Sequence, residues 1–265
     1  MTVNHLIHKV LAGEKGKVPD ELFITGASYI YQTTQFPQTT KKYHNTYLVL
    51  RVDSYFGACC HLPEQVHISA AEELSGVLLS QGLKDPRLPV QIASLDAYFG
   101  SQYPHREYCQ EVVTLPSGSP VIRANFRDEL IVRLANIKKG EKVALIGVVN
   151  PLVKAIKDAG GLCLPCDLQM ETTQWGDPIE KDMHIVLNKA DCVISTAMTL
   201  SNGTFDTICQ ITQERNIPLT IYGQTGSAVV AQFMSRGVTN LLAEPFPFSQ
   251  FTADESKVYI YKSKK

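Results

Sequence analysis

The chain has 265 residues, 44% hydrophobic and 19% charged, a balance that buries a substantial core and excludes a disordered chain. Lysine and arginine number 25 against 26 acidic residues, and the sequence pI is near 6.6, so no strong field draws in nucleic acid or an acidic membrane. No signal peptide or membrane span is expected, since Asn4, His5, His8 and Lys9 interrupt the start and the longest apolar stretch, Val143 to Val149, is far below the ~18 residues a spanning helix needs.

Seven cysteines without framework spacing, in a chain this large, point to the cytoplasm. There Asn202-Gly203-Thr204, formally a glycosylation sequon, has to be something else.

In chain order, residues 2 to 12 read as a helix, and Tyr47 to Val52 as a strand in a hairpin with the segment from Leu22 to Tyr31. Ser69-Ala70-Ala71-Glu72 is a capping box that predicts a helix to about Ser80, and Asp85-Pro86 opens another reaching about Phe99. A loop region at residues 101 to 121, with Pro104, Pro116, Gly118 and Pro120, holds the expected domain boundary. It separates an α+β unit at residues 1–115 from a unit at residues 116–265 that begins with a helix from Ile122 to Ile137.

The second unit alternates regularly. Lys142 to Ile146 is a continuous apolar run, as a parallel strand buried on both faces requires, and Pro151 suits the first turn of a helix ending at Gly160-Gly161. A strand at Leu162 to Leu168 follows; Asp177-Pro178 then reads as cap and first residue of a helix to about Lys189. A strand at Asp191 to Thr196 leads to a helix from Thr204 to Arg215, and a strand at Leu219 to Tyr222 to a helix closing at Gly237. Asn240 to Ala243 completes the series, and a strand at Val258 to Tyr261 precedes a short basic tail, Lys262 to Lys265. The fold class is therefore α/β: a Rossmann-like parallel sheet with right-handed crossovers, behind a smaller α+β unit.

In such sheets ligands bind outside the carboxyl ends of the strands. Gly147, Thr196, Thr199, Ser201, Asn202, Gly203, Thr204, Gly223, Thr225 and Ser227 occupy strand-end loops and are the candidate ligand contacts. Ser201 and Asn202 equally suit a helix cap, and Gly223 to Ser227 a plain turn. Asp177 and Asp96 are the carboxylates expected to face the ligand.

The loop after Gly147 lacks the G-x-G-x-x-G of a dinucleotide site, yet Asp167 lies 20 residues further on, where an acidic residue binds a ribose hydroxyl. This keeps a nucleotide or S-adenosylmethionine enzyme as the alternative reading. Cys163-Leu164-Pro165-Cys166 falls inside a predicted strand and reads as buried small hydrophobes. Cys59, Cys60, His61 and His67, with Glu64, fall in an expected loop and form the candidate metal cluster. No G-x-S-x-G elbow marks a catalytic serine.

Three segments resemble a known family: Lys142 to Gly147, Ala190 to Thr204 (ADCVISTAMTLSNGT), and Ile221 to Ser227 (IYGQTGS). They are similar to a prokaryotic Rossmann-like family labelled a "putative heavy-metal chelation" domain, whose signature includes an "ADVV-TGTTL-NGT" segment and a "GPSTP"-like turn. Val90 to Ala97 resembles the "GLAALNA" helix of its partner domain, which is similar to the N-terminal domain of enolases, and Gly176-Asp177 matches a "GD" of the family. This sequence departs at Asp96, where the family has Asn, at Ala197-Met198, which replaces Gly-Thr, and at Gln224 to Ser227, which replaces Pro-Ser-Thr-Pro. The resemblance implies a cleft between two domains that holds a small molecule or metal chelate, and a role in metal chelation or metallophore metabolism; the cofactor is left open, with a divalent metal as one candidate. S-adenosylmethionine is the alternative cofactor. No nucleic acid or membrane partner is expected, and a homodimer is the default assembly.

Overall fold

The computed structural model describes residues 1–35 and 42–263, so the last two lysines of the basic tail lie outside the described residues. Helix α1 (Val3–Leu11) lays Val3, Leu6, Ile7 and Val10 on one buried face, at the spacing an amphipathic helix requires. The hairpin β1 (Ile24–Gln35) and β2 (Lys42–Val52) forms as expected, but a third strand, β3 (Tyr55–His61), joins it. The expected loop around Cys59 to His61 is thus a strand: Leu48 pairs with Cys59 and Thr46 with His61.

The helix expected from Ser69 to Ser80 is two short pieces, α2 (Ala70–Leu74) and α3 (Leu79–Leu83). The Ser69 hydroxyl donates to Glu73 at 2.7 Å instead of capping the backbone. Gly76 turns the chain at φ 87°, and the next residues bond to the edge of β1: Gly76 N–H to Ile24 O at 2.7 Å, Ile24 N–H to Val77 O at 2.9 Å. Backbone pairing with β1 wins over local helix propensity. Helix α4 (Leu88–Gln102) then crosses the three-stranded sheet, with a short α5 (His105–Tyr108) after it.

The region expected to be loop contains β4 (Glu111–Leu115), which pairs antiparallel with the last strand, and α6 (Pro120–Ala135) follows. The alternation then runs β5 (Lys142–Ile146), α7 (Asn150–Asp158), β6 (Leu162–Cys166), α8 (Met183–Lys189), β7 (Cys192–Thr196), α9 (Phe205–Glu214), β8 (Leu219–Gly223), α10 (Ser227–Ala231), β9 (Asn240–Ala243) and β10 (Ser256–Lys262). Two boundaries differ from expectation. Asp177-Pro178 does not open a helix: residues 178–180 stay extended, with Glu180 N–H on Pro165 O at 3.0 Å, and Asp182 caps α8 through His184 N–H at 2.8 Å. Helix α10 stops at Ala231 because the chain turns to seat Phe233, fully buried, 4.9 Å from the Phe205 ring.

Among the described residues the strands form a three-stranded antiparallel sheet, β1-β2-β3, and a seven-stranded sheet, β4-β10-β9-β8-β7-β5-β6. In the latter, β6, β5, β7, β8 and β9 are parallel, and β10 runs antiparallel to both of its neighbours, β9 and β4, so β4 points the same way as the parallel strands. The chain is mixed α/β, as its alternation implied. One apolar core runs without a break from Leu48 and Leu50 through Ile92 and Leu95 of α4 to Leu219 and Ile221 of the large sheet. A second core lies under α6 and α7 on the other face. Among the described residues no helix is long and apolar enough to cross a membrane.

Candidate functional site

The parallel strands lie in the order β6-β5-β7-β8-β9, so the chain moves to one side of β5 to make β6 and to the other to make β7. A crevice forms where this direction reverses, at the carboxyl ends of β5 and β7. Gly147 and Thr196 stand there. Gly147 holds φ 84°, and a Cβ on it would sit 2.4 Å from Thr196 Cγ2, so only glycine lets the two strand ends approach. The Tyr222 hydroxyl reaches across from β8 to donate to Gly147 O at 3.2 Å.

A charged cluster lies beside this point. Arg127 and Asp128 come from α6, and Glu244 directly follows β9. The Arg127 guanidinium lies 3.4 Å from Asp128 Oδ1 and 3.7 Å from Glu244 Oε2, and both carboxylates are only 3% exposed. Glu244 also accepts from Ser249 N–H at 2.6 Å. Burial works against the Arg127 charge, but Asp128 and Glu244 outweigh it and hold its pKa up. Burial raises Asp128 above the usual carboxylate range despite Arg127, and burial followed by the nearby Asp128 raises Tyr222. Two carboxylates share one guanidinium, leaving one formal negative charge in excess. From the three-stranded sheet, Tyr47 donates to Gln224 Oε1 at 3.2 Å, and Glu244 is among the charges that, after burial itself, push the Tyr47 pKa up.

Sequence reading missed this cluster, though signals existed. Asp128, Ile131 and Ala135 follow helical spacing and are all buried, so a carboxylate stands inside the apolar stripe of α6. Glu244 occupies a strand end like the loops that were singled out.

The expected contacts are distributed differently. Thr199 and Ser201 are buried and spend their hydroxyls on Thr196 O at 2.9 Å and Met198 O at 2.8 Å. Asn202 caps its own turn, accepting from the N–H and hydroxyl of Thr204 at 3.1 and 2.7 Å. Gly203 lines a separate cavity of about 210 Å³ with Val3, Ile7, Leu88, Gln91 and Asp206. Asp177 is paired with Lys157 at 2.6 Å at the surface, and that partner holds its pKa below the usual range. Asp167 accepts from the N–H groups of Val148 at 2.9 Å, Gln169 at 2.8 Å and Met170 at 3.0 Å, which makes it the brace between the β5 and β6 loops.

Gly223, Thr225, Ser227 and Asp96 do come together, as a closed clasp between the sheets. A Cβ on Gly223 would lie 2.5 Å from Ala197 Cβ. The Thr225 hydroxyl accepts from Cys60 N–H at 3.0 Å, and Gly226 N–H donates to Ala58 O at 2.8 Å. Asp96, 1% exposed, accepts from Ala58 N–H at 2.8 Å and Ala228 N–H at 2.7 Å. His105 stands between the hydroxyls of Tyr261, 2.7 Å from Nδ1, and Ser227, 3.0 Å from Nε2.

The cysteine cluster does not converge. Cys59 faces the main core and Cys60 the opposite face of the strand, His61 is buried with Nδ1 on Leu62 O at 2.8 Å, and His67 is exposed beside Ser69. Among the described residues no three His, Cys, Asp or Glu side chains form a group able to hold a metal ion. Cys163 and Cys166 lie in β6, and burial pushes their thiols up to about 12 and 11, away from redox reactivity.

The clasp carries an opposed pair of pH dependences. Burial lowers the His105 pKa from 6.5 to about 3, so its contribution to stability is full above pH 6.5 and is lost as pH falls toward 3. Burial raises the Asp96 pKa from 3.8 to about 7, against the pull of its backbone donors, so its contribution is full below pH 3.8 and is lost as pH rises toward 7. Each pKa unit is worth ~1.4 kcal/mol, so both slopes are measurable. Between pH 4 and 6.5 they oppose each other. Urea unfolding of His105→Gln is expected to show stability rising as pH falls through this window, and Asp96→Asn the reverse; slopes equal to wild type in both would refute the assignment.

The family model DUF364, "Putative heavy-metal chelation", matches residues 130–243. A DUF364 protein of unknown function from Desulfitobacterium hafniense DCB-2 is similar in fold, at 16% identity and TM-score 0.65, with 98% of each chain covered. A second, from Pyrococcus horikoshii, aligns at 14% identity and TM-score 0.60, covering 99% of this chain and all of the other. No curated protein matches the chain. The matched segment takes in Leu130 of α6, β5 to β9 and the Gly147–Thr196 crevice, and over it the chain is similar to the DUF364 family.

Proposed function

We propose that this chain is a cytoplasmic protein that binds a small ligand of net positive charge, a metal chelate, where the carboxyl ends of β5, β7, β8 and β9 meet the Tyr47 edge of the three-stranded sheet. One observation carries the reading: the buried Asp128 and Glu244 carboxylates share the single Arg127 guanidinium. Buried charge is costly unless it is compensated, and a cation supplies what Arg127 alone does not. The family description supports a metal. The described residues offer no three-donor metal group, so a metal at this point has to bring most of its coordination sphere with it. Seven free cysteines support a reducing compartment.

The nucleoside reading draws less support, because both Asp167 oxygens already serve backbone N–H groups.

A thermal-shift screen of metal-stripped protein tests the proposal, using divalent ions alone, the same ions with small chelators, and S-adenosylmethionine. A binder at 100 times its dissociation constant adds about 2.7 kcal/mol. The expected result is a shift with chelates whose apparent dissociation constant rises roughly tenfold or more in Glu244→Gln or Asp128→Asn, since a hydrogen bond to a charged group contributes about 1.5–3 kcal/mol. A chelate shift that both variants retain in full would sink the assignment. A shift with S-adenosylmethionine alone, lost in Asp167→Asn, would replace it with the nucleoside reading.

A further inference from the structure

Among the described residues, three of the sheet edges are shielded. The outer edge of β3 is covered: Ala58 N–H goes to Asp96, Cys60 N–H to Thr225, and Ala58 O takes Gly226 N–H. The edge strand β6 is short, carries Pro165, and is bonded by residue Glu180 through Pro165 O and Asp167 N–H. At the other end of the large sheet β4 has five residues and begins with Glu111. Short strands, proline, charge and covering loops are the usual means of preventing sheets from joining edge to edge.

Beyond its first residues strand β1 has none of them. It runs for twelve residues, ITGASYIYQTTQ, with no proline and no charged side chain, and the uncharged run extends in sequence from Leu22 to Thr40. Its register shifts at Ile24/Gly26, and among the described residues its outer edge is bonded near Ile24 by Gly76 and Val77, with α2 packed against the strand beside them. Among the described residues no strand pairs with the outer edge from Ala27 to Thr34, a length of about 27 Å at ~3.4 Å per residue. Beyond the Thr46–His61 pair, β3 gives no further support, and the hairpin continues there as two strands. A two-stranded ribbon is marginal by itself in water. Tyrosine, isoleucine and threonine at these positions favour extended pairing.

We infer that the outer edge of β1 pairs antiparallel with the β1 edge of a second copy of this chain, joining two three-stranded sheets into one of six strands. Antiparallel pairing about a two-fold axis is self-complementary: each copy offers the N–H and C=O groups the other needs. The absence of charge removes the like-charge repulsion that would oppose a copy meeting itself.

Light scattering after size exclusion of the full chain, from low to high micromolar concentration, is expected to give twice the 29.3 kDa chain mass at the upper end. Ser28→Lys with Thr33→Lys, both exposed positions, is expected to give a folded monomer at every concentration. A wild type that stays monomeric, or a dimer that persists in the folded double variant, overturns the inference. Should the variant not fold, hydrogen exchange of the wild type decides: amides of residues 27–34 slow with rising concentration if the edge pairs, and concentration-independent exchange there refutes it.

Discussion

Asp96→Ala is expected to destabilise the fold by about 2–6 kcal/mol, because it leaves two buried N–H groups without an acceptor at about 1–3 kcal/mol each. The two donors come from different parts of the chain. Ala58 N–H belongs to β3 and Ala228 N–H to the first turn of α10, while Asp96 itself stands on α4. One carboxylate thus ties the three-stranded sheet, the central helix and the large sheet together. Asp96→Asn keeps the shape but has one acceptor oxygen, and its NH₂ group would face the second donor, so it is expected to recover only part of the loss. Urea unfolding checks both, and an alanine variant within about 1 kcal/mol of wild type would show that the amides find other acceptors.

Gly57→Ala is the second large effect. A Cβ at Gly57 would fall 2.0 Å from Ala97 N and 2.4 Å from Ala93 O, both backbone atoms of α4. A side-chain neighbour can rotate away; a helix backbone has to translate as a unit. Overpacking costs typically 1–3 kcal/mol where neighbours adjust, and about 3 kcal/mol or more is expected where they cannot. The displaced helix carries Asp96, so the clasp should loosen with it. Thermal unfolding combined with exchange at Ala58 and Ala228 tests this: a variant that melts like wild type with both amides still protected would mean that α4 slides at little cost.

The candidate site was only partly legible in the sequence. Gly147 and Thr196 were singled out because strand-end loops in a parallel sheet follow from alternation alone. Asp96 was singled out as a carboxylate facing the ligand, but it is sealed in the clasp. Thr225 and Ser227 were also singled out, and they are held in that clasp by Cys60 and His105, residues far away in the chain. Arg127, Asp128 and Glu244 were passed over because each is an ordinary charged residue until α6 is laid across the ends of β8 and β9.

What the sequence by itself determined is the local periodicity: apolar runs buried on both faces at β5, β7 and β8, amphipathic helices between them, and hence a parallel α/β sheet. That information is carried within windows of ten or fifteen residues, where side-chain spacing decides which face is buried. What only the tertiary structure decided is pairing between distant segments. Residues 76–79 left a favourable helix to bond the edge of β1, Cys59 to His61 became a strand because β2 offered its edge, and residues 178–180 stayed extended beside β6. In each case a backbone donor and acceptor distant in sequence set the conformation, since buried N–H and C=O groups must be satisfied and local propensity is worth less than a lost hydrogen bond.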